Sequence, residues 1–393
     1  MDRSKWEYKK LGDICKSINA GGTPSRGNSA YWNGDIPWVK IRDMNSKYVN
    51  STEEFITEEG LNNSSAKLFE PGTILYSIFA TIGAASILEI PATTNQAIAG
   101  IVLGDGCDRD FYYYYLTSLK THFENISKGV AQNNINLSVL RNQKVVVPPI
   151  SDQQRIVAEL DCLNKMIAVK QEQLKEFDKL AQSIFYDMFG DPVLNEKRWE
   201  IRPLGELISI MGGFAFKSSS YVDIGIRLVQ IANVWEDNIK WDEITHVPKE
   251  DVNKRPDYLL KPGDIVMALT RPIIKSLGSV KIARIRNCDI PCALNQRVCK
   301  FAFSNSLLSP HWFYHFARTD YFKDMINSFS SKGMQPNVST KEIESILTPY
   351  IPLSLQQQFA DKISAIEAQK ELVKQSIAET QALLDYTMDK YFG

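Results

Sequence analysis

The amino-acid sequence predicts an α+β chain: two similar mixed α/β domains separated by two long antiparallel coiled-coil helices, with a pseudo-twofold internal repeat. Three observations predict it. The 393-residue chain repeats itself at a period of roughly 200. Each repeat closes with a stretch, 151–189 or 354–392, that holds neither glycine nor proline. In both stretches the apolar residues advance by alternating steps of four and three. The length by itself allows two or three domains. The division that follows is a first domain at 1–150, a long helix at 151–190, a second domain at 191–353 and a second long helix at 354–393.

The repeat is carried by short runs in a fixed order. Trp6 and Leu11-Gly12 return as Trp199 and Leu204-Gly205, and Gly21-Gly22 returns as Gly212-Gly213. Pro71-Gly72-Thr73-Ile74 answers to Pro262-Gly263-Asp264-Ile265, and Asn95-Gln96 to Asn295-Gln296. Gly129 with Gln132 answers to Gly333 with Gln335. Pro149-Ile150-Ser151-Asp152-Gln153-Gln154 matches Pro352-Leu353-Ser354-Leu355-Gln356-Gln357 at an offset of 203, which persists to Phe189-Gly190 and Phe392-Gly393. A repeat this long is a domain, not a turn of a solenoid.

Each regular stretch opens after proline with a capping box, Ser151/Gln154 and Ser354/Gln357. The first stops at Gly190-Asp191-Pro192. Its seam reads Ile156, Leu160, Leu163, Ile167, Leu174, Phe177, Ala181, Ile184 and Met188, with Lys170 in the one gap. The second reads Phe359, Ile363, Ile366, Val373, Ile377, Leu384 and Tyr391, with Lys370, Thr380 and Thr387 as polar members. Alternation by four and three is the 3.5-residue period of a coiled coil. Lys170 corresponds to Val373 and Lys370 to Ile167, so the defects fall at different heights and suit pairing of one helix with the other. The plainer alternative is two separate amphipathic helices, each docked on its own domain. A helix of 39 residues is roughly 58 Å long, and antiparallel pairing would hold the two domains apart at a fixed distance.

The globular halves show short β-like runs (36–41, 144–147) and helical periodicity only around 111–123 and 310–326. The apolar stretch 73–92 has the length of a membrane span, but its counterpart 264–285 carries Arg271, Lys275, Lys281 and Arg284. Both therefore read as a buried strand pair bent at Gly83 and Gly278. The net charge of −1, from 45 basic and 46 acidic residues, excludes a uniformly basic coat protein, and 44% hydrophobic residues exclude general disorder. No apolar run or cleavage site opens the chain, and six scattered cysteines fit a reducing compartment, so a cytoplasmic protein is expected. Cys288, Cys292 and Cys299 cluster without the histidine or fourth cysteine that would complete a zinc site.

Candidate binding residues follow from charge and from amide placement. Arg271, Lys275, Lys281, Arg284, Arg286, Arg297 and Lys300 face only Asp289 within 271–300, as a phosphate-facing surface would. A solvated basic strand face reads the same way. In the first half the candidates are Thr23, Ser25 and Arg26 of the glycine loop, and Lys40, Arg42 and Lys47. Amides able to pair with base edges recur at Asn95, Gln96, Asn295 and Gln296, and at Gln132, Asn133, Asn134, Gln335 and Asn337. Such amides are also ordinary turn-formers. The sequence carries no phosphate loop, no Asn/Asp-Pro-Pro-Tyr/Phe run for amino-group methylation and no metalloprotease pattern around His311 and His315. The chain reads as a binding protein whose chemistry lies elsewhere, the alternative being a coiled-coil adaptor between proteins with no DNA role.

The domain–helix–domain–helix order, the Pro-x-x-x-Gln-Gln entry to each helix and Met188-Phe189-Gly190-Asp191-Pro192 resemble the specificity subunit of type I restriction-modification systems. So do Gly22-Thr23-Pro24-Ser25, Tyr31-Trp32, 36–41 and 95–98 in the first half; Phe214-Ala215-Phe216-Lys217-Ser218 departs from that form in the second. The resemblance implies two target-recognition domains, each reading half of a bipartite double-stranded DNA sequence, with the helix pair setting the spacer. It implies two methyltransferase subunits docked on the helices, modifying adenine N6 with S-adenosylmethionine. Motor-nuclease subunits using ATP and magnesium would join them, and none of these cofactors would bind this chain. Two linked readers gain selectivity because the second binding event becomes intramolecular, with half-site centres about 10 bp apart.

Overall fold

The computed structural model describes residues 6–127, 134–303, 307–329 and 336–393. The chain divides into two compact units, one of Met1–Gln171 with Gln375–Gly393 and one of Glu172–Lys374. These units cut across the division by sequence. Each takes a globular part, the first half of the helix that follows it, and the second half of the other repeat's helix. The boundaries at Gln171 and Lys374 lie 203 residues apart, the same offset that relates the two helices.

In the first unit Cys15–Ala20, Ile98–Leu103, Ile74–Ser77, Ala85–Leu88 and Tyr48–Val49 form a five-stranded sheet in that spatial order. Trp32–Val39 forms a separate three-stranded sheet with Glu54–Ile56 and Thr93–Thr94, the first of these pairings antiparallel, the second parallel. The apolar run at 73–92 is the strand pair the sequence predicts: Tyr76 lies opposite Ala85, and Gly83 takes φ +88°. A Cβ on Gly83 would come within 2.9 Å of the Lys120 backbone, so glycine is required there on two counts. Its counterpart, Ile265–Ala268, pairs with Ile282–Arg284, with a small hairpin turning at Gly278 between them. Among the described residues no helix is long and apolar enough to cross a membrane.

The central long helix runs over Ile150–Phe189 and the C-terminal one over Leu353–Phe392. Within the first unit Ile156, Leu160, Leu163 and Ile167 share one buried cluster with Ile377, Leu384 and Tyr391. Phe392 lies edge-on to Phe111 and Tyr115 at 5.4 Å, and the Tyr391 hydroxyl donates to Glu159 at 2.6 Å. Residue 159 thus meets 391 while 170 meets 380, which is antiparallel pairing. The defects behave as their offset implies: Lys170 Nζ donates to Thr380 Oγ1 at 2.8 Å and to the Ser376 carbonyl at 3.3 Å. In the second unit Lys370 pairs with Asp178 at 2.7 Å. Each lysine in a seam meets a polar atom on the facing helix and is not left unpaired in an apolar layer.

The seam departs from the sequence in the second half of the central helix. There Ala181, Phe185 and Phe189 are buried, at uniform steps of four, whereas Leu174, Phe177, Ile184 and Met188 are half-buried. The helix here faces a globular core as well as its partner helix: Phe185 and Phe189 pack on Trp312 and on Phe359, with Phe189–Phe359 ring centroids 5.2 Å apart. A wide apolar stripe of period 3.6 serves that environment better than a narrow 3.5 seam. The C-terminal helix keeps the four-three alternation from Phe359 to Tyr391, and every member is buried or half-buried.

The capping boxes are also replaced. The helices begin at Ile150 and Leu353, which leaves Ser151 and Ser354 inside the first turn, and Gln357 instead donates to Asp361 at 2.9 Å. The working residue is the preceding glutamine. Gln153 is fully buried; its amide donates to the carbonyls of Pro148 and Gly106, and its oxygen accepts from Asp108 N–H at 2.7 Å. Asp108 then caps the next helix by accepting from Phe111 N–H at 2.9 Å. Gln356 repeats this arrangement with Ile351, Leu307 and Ser309. Replacing Gln153 by Ala removes three hydrogen bonds and strands the buried Pro148 carbonyl, so a loss of about 1–3 kcal/mol is expected. Gln154→Ala, one residue on and exposed, is expected to cost almost nothing; denaturant midpoints of the two variants check this.

His315 is buried against Phe359, ring centroids 5.2 Å apart, and its Nε2 makes no hydrogen bond among the described residues. Burial, and then the Arg318 and Arg284 guanidinium groups, hold its pKa well below the usual imidazole range. The unfolded chain therefore binds a proton near pH 6.5 that the folded chain refuses. Stability should fall as pH drops below about 6.5, by at most about 1.4 kcal/mol per pH unit from this group. Thermal unfolding at pH 7 and about pH 5.5 should show less acid sensitivity in His315→Leu than in the native chain; equal sensitivity would assign the effect to other groups.

Candidate nucleic-acid interface

In each unit four chain segments meet at one rim, with the same backbone frame. In the first, Gly21 N–H donates to the Ile98 carbonyl at 3.0 Å and Gly22 N–H to that of Thr94 at 2.9 Å. Ile78 N–H donates to Ala97 and Ile135 N–H to Ile78, and Phe79 bridges to Asn134. In the second, Gly213 N–H donates to Val298, Leu269 N–H to Arg297 and Val338 N–H to Leu269, and Thr270 bridges to Asn337. Glycine is needed because the crossing is so close. A Cβ would stand 2.0 Å from Thr94 Oγ1 at Gly21, and 2.0 Å from the Asn295 carbonyl at Gly213. The Gly-Gly and Asn-Gln runs, remote in sequence, are thus brought together in both halves.

Around the first rim Thr23 is hydrogen-bonded to the exposed Gln96. Asn95 instead accepts from Ala97 N–H at 3.0 Å, the turn-forming use of its amide. Two indoles shape the loop: Trp38 Nε1 donates to the Gly22 carbonyl at 2.9 Å and Trp32 Nε1 to that of Ser25 at 3.1 Å. The Arg26 guanidinium lies 3.7 Å from the Trp32 ring centroid and 2.7 Å from a Glu54 oxygen. Lys40 also pairs with Glu54, and Arg42 with Glu53. Glu54 is held below its ordinary pKa by Lys40 foremost, against its partial burial, and by Arg26. Two carboxylates therefore offset two of these three cations. Lys47 is half-buried between Asp110 at 2.8 Å and Asp161 at 2.7 Å, which makes it a packing ion pair.

The second rim encloses a groove of about 590 Å³ lined by Gly212, Gly213, Thr270, Arg297, Asn337 and Ser339 among others. Asn337 Oδ1 accepts from Thr270 Oγ1 at 2.8 Å. Arg271 and Arg297 are exposed, both with left-handed backbone (φ +50° and +65°), and Lys275 is exposed nearby in sequence. Among the described residues none of the three has a carboxylate partner. The Lys281 ammonium has its pKa pulled down by burial and by neighbouring Arg271, the mark of like charges held together. An anion there would relieve that repulsion.

The basic run of 271–300 is accordingly two groups. Arg284 is paired with Glu367 at 2.6 Å and stacked on Tyr314 at 4.3 Å, Arg286 reaches Asp289 at 3.4 Å, and Lys300 reaches Asp264 at 3.6 Å. Arg284 lies on the strand Ile282–Arg284, whose pairing puts its side chain against the C-terminal helix and away from the groove. Asn295 is buried, while Gln296 is exposed and bonded through its N–H to the Phe214 carbonyl at 2.8 Å. Asn134 is half-exposed at the first rim; Gln132, Asn133 and Gln335 lie outside the described residues. Trp32 and Trp38 stand in the sequence only as members of the runs that carry the resemblance, and the exposed Phe79 is not singled out: an isolated aromatic carries no periodic or charge signal.

Comparison with known proteins agrees with this geometry. The family described as the type I restriction modification DNA specificity domain matches twice, over residues 3–177 and 196–382. The type I restriction enzyme MjaVIII specificity subunit of Methanocaldococcus jannaschii is 27% identical over 379 residues, covering 92% of this chain and 86% of the relative. The MjaIX specificity subunit of the same organism is 32% identical over 229 residues, about half of each chain (53% and 52%). A solved chain from work on complex assembly and conformational transition of the type I R-M system aligns over 99% of this chain and 97% of its own, with TM-score 0.60. At 17% identity that likeness speaks to the fold.

Proposed function

The chain belongs to the type I restriction modification DNA specificity family, of which it carries two tandem domains, and from that premise we propose how its parts divide the work. Each rim reads one half of a bipartite DNA target. The observation that supports this is the duplicated backbone frame: the same four crossings recur in both units, while the side chains mounted on them differ. A constant scaffold with variable exposed residues is what two readers of different sequences require. The helices set the unread spacer between the half-sites. Salt dependence separates this reading from that of a protein–protein adaptor, because phosphate contacts weaken linearly in log salt.

Catalysis is assigned to other subunits in the cytoplasm: adenine-N6 methylation to methyltransferase subunits with S-adenosylmethionine, and any cleavage to motor-nuclease subunits with ATP and magnesium. The helices offer matched seats for the former. Val169 and Leu383 are exposed in the first unit, and Leu372 and Leu180 in the second; the 203-residue offset turns one pair into the other. Two equivalent apolar seats favour two copies of one partner.

Co-expression with the adjacent methyltransferase gene in a methylation-free host, followed by mapping of modified adenines, should return a split motif. A methyltransferase-bound complex that leaves no new methylation would remove the reading. Inserting one heptad into both helices at matched layers lengthens each by roughly 10.5 Å. The spacer should grow by about three base pairs with both half-sites retained; an unchanged spacer would detach it from helix length. Val169→Glu and Leu372→Glu should each remove one methyltransferase copy by native mass spectrometry, and the double variant both, with the helical circular dichroism unchanged.

A further inference from the structure

The two rims share a backbone frame but present opposite chemistry at their most exposed positions. Where the second rim carries Arg271 and Arg297, the first carries Ala80 and Ala97. Ala80 and Arg271 both take the left-handed backbone, φ +62° and +50°, which side-chain-bearing residues adopt only when their surroundings impose it. Immediately before them stand Phe79, with 47% of its surface exposed, and Thr270, which is buried and bonded to Asn337. The first rim therefore exposes a phenyl ring and the methyl of Ala80, with Ala97 buried, where the second exposes two guanidinium groups.

Phe79 is rigidly mounted. Ile78 is tied on both sides, its N–H to Ala97 and its carbonyl to Ile135 N–H at 3.0 Å. The bend beyond it is closed by Ser77, whose hydroxyl is bonded to the Thr81 carbonyl and accepts from Ala84 N–H at 3.0 Å. Gly83 N–H donates to the Ser77 carbonyl at 3.1 Å. An exposed aromatic side chain on an over-determined bend loses little conformational freedom on contact, and it stands on the rim that also bears the exposed amide of Gln96. The cations described around this rim, Arg26, Lys40 and Arg42, are drawn onto Glu53 and Glu54, unlike Arg271 and Arg297 of the second, which have no carboxylate partner among the described residues. The one apolar feature that a base pair offers in the major groove is the thymine C5 methyl.

We propose that Phe79 is the apolar base reader of the first unit, seated against a thymine methyl in the half-site that this unit reads, while Arg271 and Arg297 carry the charged contacts of the second. This rests on the reading of the rims as DNA-facing. It makes one half-site thymine-dependent, and places the larger share of the salt dependence on the other, whose arginines have no carboxylate partner among the described residues.

The test uses the complex co-expressed with its methyltransferase and a duplex of the motif that it methylates. Replacing the thymines of the first half-site one at a time by uracil removes only the methyl group. At one position the native complex should lose about fourfold in affinity, the value of one buried methyl. Phe79→Ala should show that loss on the thymine duplex and no further loss on the uracil duplex. Phe79→Ala should also leave the slope of log affinity against log salt unchanged, whereas Arg271→Ala with Arg297→Ala should flatten it by about two. Indifference to uracil at every position overturns the proposal, and so does a wedge-like result in which Phe79→Ala weakens binding of thymine and uracil duplexes with no coupling between them. Failure of the native complex to bind its methylated motif at all would instead fall on the DNA-reading function itself.

Discussion

Neither globular part closes its own core. The first unit is completed by Ile377, Leu384, Tyr391 and Phe392, and the second by Ala181, Phe185 and Phe189, so each repeat lends the far half of its helix to the other. The hydrophobic effect acts here between residues far apart in sequence. Phe392 packs on Phe111, and Phe189 packs on Trp312, which lies on a helix of the other repeat. Everything else leans on this exchange. The seam lysines need their facing partners, and the rims need a sheet whose back is covered by these aromatic residues.

The exchange would be loose without a device that fixes where each helix leaves its globular part. Gln153 and Gln356, both fully buried, do this with three hydrogen bonds apiece, and an amide left without partners there is costly. In each unit a glycine, at 21 or 213, lets two backbones cross at distances that no Cβ allows. This fixed geometry leaves the variable chemistry to the rim side chains, where Phe79-Ala80 and Thr270-Arg271 differ on one frame.

Much of this was legible in the sequence, and the parts that were not have identifiable reasons. Repetition gave the paired architecture, and the four-three alternation gave the helices and the meeting of Lys170 with a polar partner. The Gly-Gly and Asn-Gln runs stood out by recurring, and the fold brings them together. The alternation misjudged the second half of the central helix because Phe185 and Phe189 answer to a globular core, whose wider stripe a coiled-coil template ignores. Gln153 was read through its neighbour Gln154, since a capping box is a local pattern and the true partners, at Asp108 and Gly106, are not local. The basic run of 271–300 looked continuous, but strand pairing sends Arg284 to Glu367 and leaves Arg271 in the open. Linear density of charge carries no information about which face a side chain takes.

The lending of helix halves also sets an order in time. Residues 375–393, which cover the aromatic side chains of the first unit, are synthesised about 200 residues after its sheet. At ordinary elongation rates the uncovered surface around Phe111 and Tyr115 therefore waits for roughly 10–40 s on the ribosome. Through that interval the first repeat is an unfinished body with an open apolar wall, suited to being held by a chaperone. A product that stops short of the second helix lacks the segment that covers this surface in the full chain.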